Sequence, residues 1–105
     1  MNIRYLAMIV ALSSSAAAFA AGDGETLFKK SNCSACHVVA GKSLGPALVD
    51  IATKYKDDKG AQARLETKTR NGGAGSFGAM PMPATPKSIS DNDISTMVTW
   101  ILAQK

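Results

Sequence analysis

The sequence predicts an all-α fold, and three observations carry that expectation. Large apolar residues recur at helical spacing in two separate segments, a capping sequence opens the second of them, and no stretch alternates apolar with polar residues as a half-buried strand does. Taken in chain order, residues 24–32 read as a short helix, with Leu27 and Phe28 for its buried face and Asp23 as its cap. Residues 33–46 are loop-like and contain Gly41, Gly45 and Pro46, the last suited to the first turn of the next helix. Leu48, Ile51, Ala52 and Tyr55 then follow at i, i+3, i+4 and i+7, which makes one apolar stripe. Asp57-Asp58-Lys59-Gly60 ends that element as a solvated turn. Ala61 to Arg70 are good helix formers, but Leu65 is their only large apolar residue. Residues 71–89 hold four glycines together with Pro81, Pro83 and Pro86, and no regular element fits them. The last helix is the clearest. Ser90 and Asp93 form a capping-box-like start, Ile94, Met97, Val98 and Ile101 make the apolar stripe, and Trp100 extends it. On that stripe Met97 is a core residue.

The chain is 105 residues long, which suggests one domain. Its beginning reads differently from the rest. Met1 to Arg4 carry one positive charge, Tyr5 to Leu12 are a short apolar run, and Ala18-Phe19-Ala20 has the small-x-small pattern that a signal peptidase accepts. Residues 1–20 are therefore expected to be a cleaved secretory signal peptide, cut after Ala20 or Ala21, and residues 21–105 the mature domain. The apolar run is shorter than the roughly 20 residues a spanning helix needs, which argues against an uncleaved anchor. No later segment is long and apolar enough to insert in a membrane either. Loss of Arg4 leaves eleven basic and eight acidic side chains, a net charge of +3. So small an excess, with few aromatic residues and none interleaved with the basic ones, speaks against nucleic acid. It suits docking on an acidic protein partner. The lysines at 29, 30, 42, 54, 56, 59 and 87 are ordinary surface residues or a ring around the exposed edge of a cofactor.

A mature domain of about 85 residues is close to the size at which a protein core alone is marginal. Cys33 and Cys36 are its only cysteines, and a disulfide between them would constrain little of the unfolded chain. A large apolar cofactor is one way to supply the missing stability. Cys33-Ser34-Ala35-Cys36-His37 is a C-x-x-C-H motif, in which each thiol can add to one vinyl group of a haem while the histidine ligates the iron. Zinc would need four ligands, and the chain has no other cysteine or histidine. A thioredoxin-like pair would sit near a βαβ pattern, which is missing. A local disulfide would leave His37 unexplained. One covalently bound haem c is therefore expected, with His37 as the proximal ligand. For the other axial position the chain offers Met80 and Met82, in the non-helical Gly78-Ala79-Met80-Pro81-Met82-Pro83. Prolines restrict this segment before folding, so it can aim a weak thioether donor at little entropic cost. Chemistry alone does not choose between the two methionines. Gly73-Ala74-Gly75-Ser76-Phe77-Gly78 matches G-x-G-x-x-G, but neither the strand before it nor the helix after it that dinucleotide binding requires is present. Its glycines are instead expected to let the backbone pass close to a haem edge.

At this point the chain resembles the small bacterial cytochrome c-551/c-552 type of class I c-type cytochrome, over essentially the whole mature domain. Leu27-Phe28 before the haem motif, Leu44-Gly45-Pro46 after it, Arg70-Asn71-Gly72 leading into the glycine-rich loop, Met80-Pro81-Met82-Pro83, and Trp100 near the C-terminus carry the likeness. The resemblance implies the cytochrome c fold, about four short helices wrapped around one haem. It implies that Met82 is the second axial ligand and Met80 an apolar haem contact, and that the Pro46 carbonyl accepts from the His37 ring. It places Lys68 near a haem propionate and Phe28 against Trp100. One departure stands out. Where the family commonly has a tryptophan that donates to a propionate, this chain has Phe77, which has no N–H to give.

Histidine and methionine together leave no open coordination site, and the thioether favours ferrous iron. The expectation is a non-enzymatic, monomeric, periplasmic carrier of single electrons. By resemblance its partners are a quinol-oxidising complex as donor and a nitrite reductase or terminal oxidase as acceptor. The competing reading, a haem enzyme or gas sensor, needs a labile distal ligand.

Overall fold

The computed structural model describes residues 21–105; the expected signal peptide, residues 1–20, lies outside the described residues. The described chain forms α1 (Ala21–Lys30), a 3-10 turn (Cys33–Ala35), α2 (Leu48–Lys54), α3 (Ala61–Asn71) and α4 (Asp91–Leu102). Among the described residues there is no strand, only one isolated antiparallel bridge between Gly73 and Met82. None of the described helices is long and apolar enough to cross a membrane.

The expected start of α4 is present in detail: Ser90 is the N-cap, and its Oγ accepts from the backbone N–H of Asp93 at 3.1 Å. Asp91 and Asp93 add negative charge to the positive end of the helix dipole. The stripe behind that cap buries Ile94, Met97 and Val98, and α4 packs against α1, α2 and α3 in turn. The core is one cluster of Phe28, Leu48, Ile51, Ile94, Met97 and Val98, with Leu65 and Tyr55 packed at its edge. Met97 is thus a core residue, as its position on the stripe requires. Where α1 crosses α4, Gly24 meets the helix backbone beside Trp100, and a Cβ there would overlap the Trp100 Cβ. That close approach brings the rings of Phe28 and Trp100 to 5.3 Å between centroids, tilted by 53°.

Three boundaries differ from the sequence expectation. Helix α1 begins at Ala21, so Asp23 lies in its first turn and complements the dipole there instead of capping it. It ends at Lys30 because Asn32 takes a left-handed conformation (φ 66°), which asparagine tolerates. Pro46 lies outside α2, before the extended N-cap Ala47. The reason is tertiary: the free N–H groups of Leu48 and Val49 donate to the carbonyls of Val38 and Val39, at 2.8 and 3.0 Å. The turn after α2 is also less solvated than expected, since Asp58 accepts from the Gly60 N–H at 3.0 Å and pairs with Arg64.

Candidate functional site

The C-x-x-C-H segment winds into a tight turn as soon as α1 ends. Both the Cys36 and His37 amides donate to the Cys33 carbonyl, at 3.1 and 3.0 Å. The turn sets both thiols and the imidazole on the wall of one cavity of about 510 Å³. All eight residues singled out from the sequence, Cys33, Cys36, His37, Pro46, Lys68, Phe77, Met80 and Met82, line that cavity. Its apolar floor is the core itself: Phe28, Leu48, Ile51, Met97, Val98 and Ile101.

His37 is held from two directions. Its Nδ1 lies 2.8 Å from the Pro46 carbonyl oxygen. A carbonyl can only accept, so Nδ1 carries the proton and Nε2 keeps its lone pair for a metal. Gly45 presses on the ring from the side: a Cβ there would fall 2.6 Å from Cε1 and 2.9 Å from Nδ1. The Gly45 amide is itself tied to the Cys36 carbonyl at 2.7 Å, so backbone and imidazole are positioned together. Burial pushes the Cys33 thiol above its ordinary range. A backbone hydrogen bond opposes that shift and the neighbouring Cys36 adds to it. A thioether does not titrate, so covalent attachment removes the charged form that burial disfavours.

The two methionines are placed differently. Met80 is 65% exposed at the cavity mouth, where Leu44 is exposed too. Met82 is half-buried, and its backbone exchanges two hydrogen bonds of 2.9 Å with Gly73. That pairing requires glycine at the neighbouring position 72, which has φ 69° and whose Cβ would collide with the Met82 carbonyl. The glycine-rich loop follows α3 rather than a strand, consistent with discounting the dinucleotide motif.

Phe77 presents its ring to Tyr55 at 6.4 Å, edge to face. The Lys54 ammonium sits 4.4 Å from the Phe77 ring centroid and donates to the Ser76 carbonyl. A cation therefore occupies the face of the side chain that replaces the family's indole. Among the described residues Lys68 is the one lysine on the cavity wall. The others are spread over the surface, and Lys29 pairs with Glu25 at 3.0 Å along α1.

The sequence assigns no site role to Gly45 or Arg70, and to Lys54 only a place among the surface or ring lysines. Gly45 acts through a steric contact that a Gly-Pro pair only hints at. Lys54 and Arg70 act across long sequence separations, for which a single sequence carries no sign.

The donor set fits a covalently attached haem: two thiols, an imidazole with Nε2 left for iron, a thioether, an apolar floor and a basic group at the wall. It does not fit zinc, since no three His, Cys, Asp or Glu side chains converge among the described residues.

The sequence model of the family Cytochrome c matches residues 21–105. The chain is 42% identical over 85 residues to the cytochrome c-551 of Pseudomonas aeruginosa, covering 81% of this chain and 80% of that one. It is 40% identical to the cytochrome c-552 of Nitrosomonas europaea over the full length of both. The crystal structure of wild-type Nitrosomonas europaea cytochrome c552 superposes with a TM-score of 0.72 at 44% identity, covering 77% of this chain and 99% of that one.

Proposed function

Because the chain belongs to the cytochrome c family and carries one covalently bound haem c, we propose that it is a periplasmic single-electron carrier whose iron is held by His37 and Met82. The bound haem supplies a one-electron ferric–ferrous couple. Cys33 and Cys36 would anchor it through thioether bonds. The observation that carries the ligand reading is the contrast between the methionines: Met82 is half-buried and tied through its backbone to Gly73, whereas Met80 is largely exposed.

Each residue then has a task in moving an electron without moving atoms. Pro46 and Gly45 fix the His37 ring, so the nitrogen ligand is the same in both oxidation states. The Gly73–Met82 bridge does the same for the sulfur ligand. The apolar floor excludes water and favours the less charged, reduced form. Lys68, on the cavity wall, would be the basic group that meets a propionate. Phe77 contributes packing and no hydrogen bond, so propionate stabilisation falls to other residues. Leu44, Phe77 and Met80, exposed at the cavity mouth, would form the surface through which an electron leaves.

By family likeness the donor is a quinol-oxidising complex and the acceptor a nitrite reductase or terminal oxidase. Residues 1–20 would direct export and be removed. The optical spectrum of the matured protein tests the reading. Oxidised protein should show the weak near-infrared band of sulfur–iron ligation, and reduced protein should not bind carbon monoxide. High-spin iron that takes up carbon monoxide freely would instead indicate an enzyme or gas sensor.

A further inference from the structure

The segment that carries Met82 lines the haem cavity through Met80, Pro81, Met82 and Pro83. Beyond it, from Ala84 to Ser88, no residue lines that cavity and every one is exposed except Thr85. The linker between α3 and α4 is also long, and loops of this length without secondary structure are uncommon in a small domain unless something fixes them. Burial against the cavity therefore accounts for residues 80–83 but not for the path of residues 84–89.

Polar contacts from the end of α3 do. Arg70, half-buried on that last turn, spreads its guanidinium across the far limb of the loop. Nη1 donates to the Pro86 carbonyl at 3.0 Å and more weakly to Thr85 at 3.4 Å. Nη2 donates to the Ile89 carbonyl at 2.7 Å. Nε and Nη2 reach Asp91 Oδ1 at 3.2 and 2.7 Å. The Arg70 carbonyl in turn accepts from the Thr85 N–H at 3.2 Å. On the near limb, Gly73 pairs with Met82 itself. The last turn of α3 and the glycine just past it thus hold the chain at the methionine and beyond it.

We propose that Arg70 is the positioning residue for the distal ligand: its guanidinium, spread over the carbonyls of residues 85–89, sets how readily the Met82 sulfur leaves the iron. This rests on the Met82 ligation proposed above. The shape of the side chain matters more than its charge. Asp91 is 94% exposed, so that ion pair is screened by water and contributes little, whereas the planar fork matches several fixed acceptors at once. A lysine has one compact ammonium and cannot reach the same set.

The test uses matured, oxidised protein and imidazole as a competing ligand, with loss of the near-infrared sulfur–iron band as the readout. Arg70→Lys should raise the apparent affinity for imidazole about tenfold, while Asp91→Asn should leave it within about twofold because the carbonyl contacts remain. A wild-type protein without the band would remove the ligand reading itself. A wild-type band combined with an unchanged imidazole affinity in Arg70→Lys overturns the role of Arg70 alone, even if that variant melts at a lower temperature. Should the variant not mature, the wild-type protein still gives an answer by NMR. Imidazole binding should expose to exchange the Arg70 Nη–H groups that donate to the Pro86 and Ile89 carbonyls, because the sulfur leaves only when the loop lets go. An Arg70 resonance untouched by saturating imidazole means the methionine swings away by itself and overturns the proposal.

Discussion

At Gly45 a single hydrogen atom stands where any other residue would place a carbon against the His37 ring, 2.6 Å from Cε1. Substitution by alanine must shift either the imidazole or the backbone that Gly45 shares with Cys36. Gly45→Ala should therefore destabilise the matured protein by about 1–3 kcal/mol, the usual cost of overpacking, as measured by chemical denaturation. An unchanged midpoint would mean that the ring has room the geometry does not show. The methionines allow a sharper comparison, because they share a segment and differ in placement. Met82→Leu should abolish the near-infrared sulfur–iron band, and Met80→Leu should preserve it. The reverse pattern would assign the ligand to Met80. Sequence chemistry leaves these two residues equivalent, since both lie among the same prolines. Resemblance favours Met82, and the placement of Met82 beside Gly73 supports that choice through a contact nine residues away along the chain.

Among the elements, α4 does most of the organising, and its two ends do different work. Its start rests on a local hydrogen bond from the Asp93 amide to Ser90. Ser90→Ala should cost about 1 kcal/mol, visible as a shift in thermal midpoint with the spectrum unchanged. Its far end carries Trp100, which meets Phe28 of α1 where Gly24 lets the two helices approach. Trp100→Ala should cost about 3–5 kcal/mol in equilibrium unfolding, several times the loss of the cap. Equal losses from the two variants would mean that the crossing of α1 and α4 is not the stabilising contact it looks to be. The cap and the stripe of α4 were legible because both obey spacings of three and four residues. The start of α2 was not, because the groups that satisfy Leu48 and Val49 belong to Val38 and Val39, across the loop that follows the haem motif.

At the scale of the whole molecule, the core cluster of six buried side chains is continuous with the cavity floor, so a haem held there would complete the core. Without it the domain would expose that floor to water, near the size at which a core is already marginal. Chain produced with both thiols unmodified should lose most of its helical far-ultraviolet circular dichroism at room temperature. Matured protein should have the mass of residues 21–105 plus one haem. A colourless chain that stays fully helical would show that the cofactor is not needed for the fold, and a mass that includes residues 1–20 would refute cleavage.

Local chemistry dictates much of this protein. The proposed attachment through Cys33 and Cys36, the proposed ligation by His37, the apolar stripes and the Ser90 cap each depend on residues within a few positions of one another, where the geometry of a turn or helix is nearly invariant. Other features have no local cause. The late start of α2, the tautomer of His37, the bridge from Gly73 to Met82 and the spread of Arg70 over residues 85–91 all join groups that meet only after the chain has folded back on itself. A backbone carbonyl looks the same at every position of a sequence. Which N–H or guanidinium it will face depends on how the loops after the haem motif and after α3 fold back, so apart from the His37–Pro46 pair, which the resemblance implies, those contacts first become visible in three dimensions.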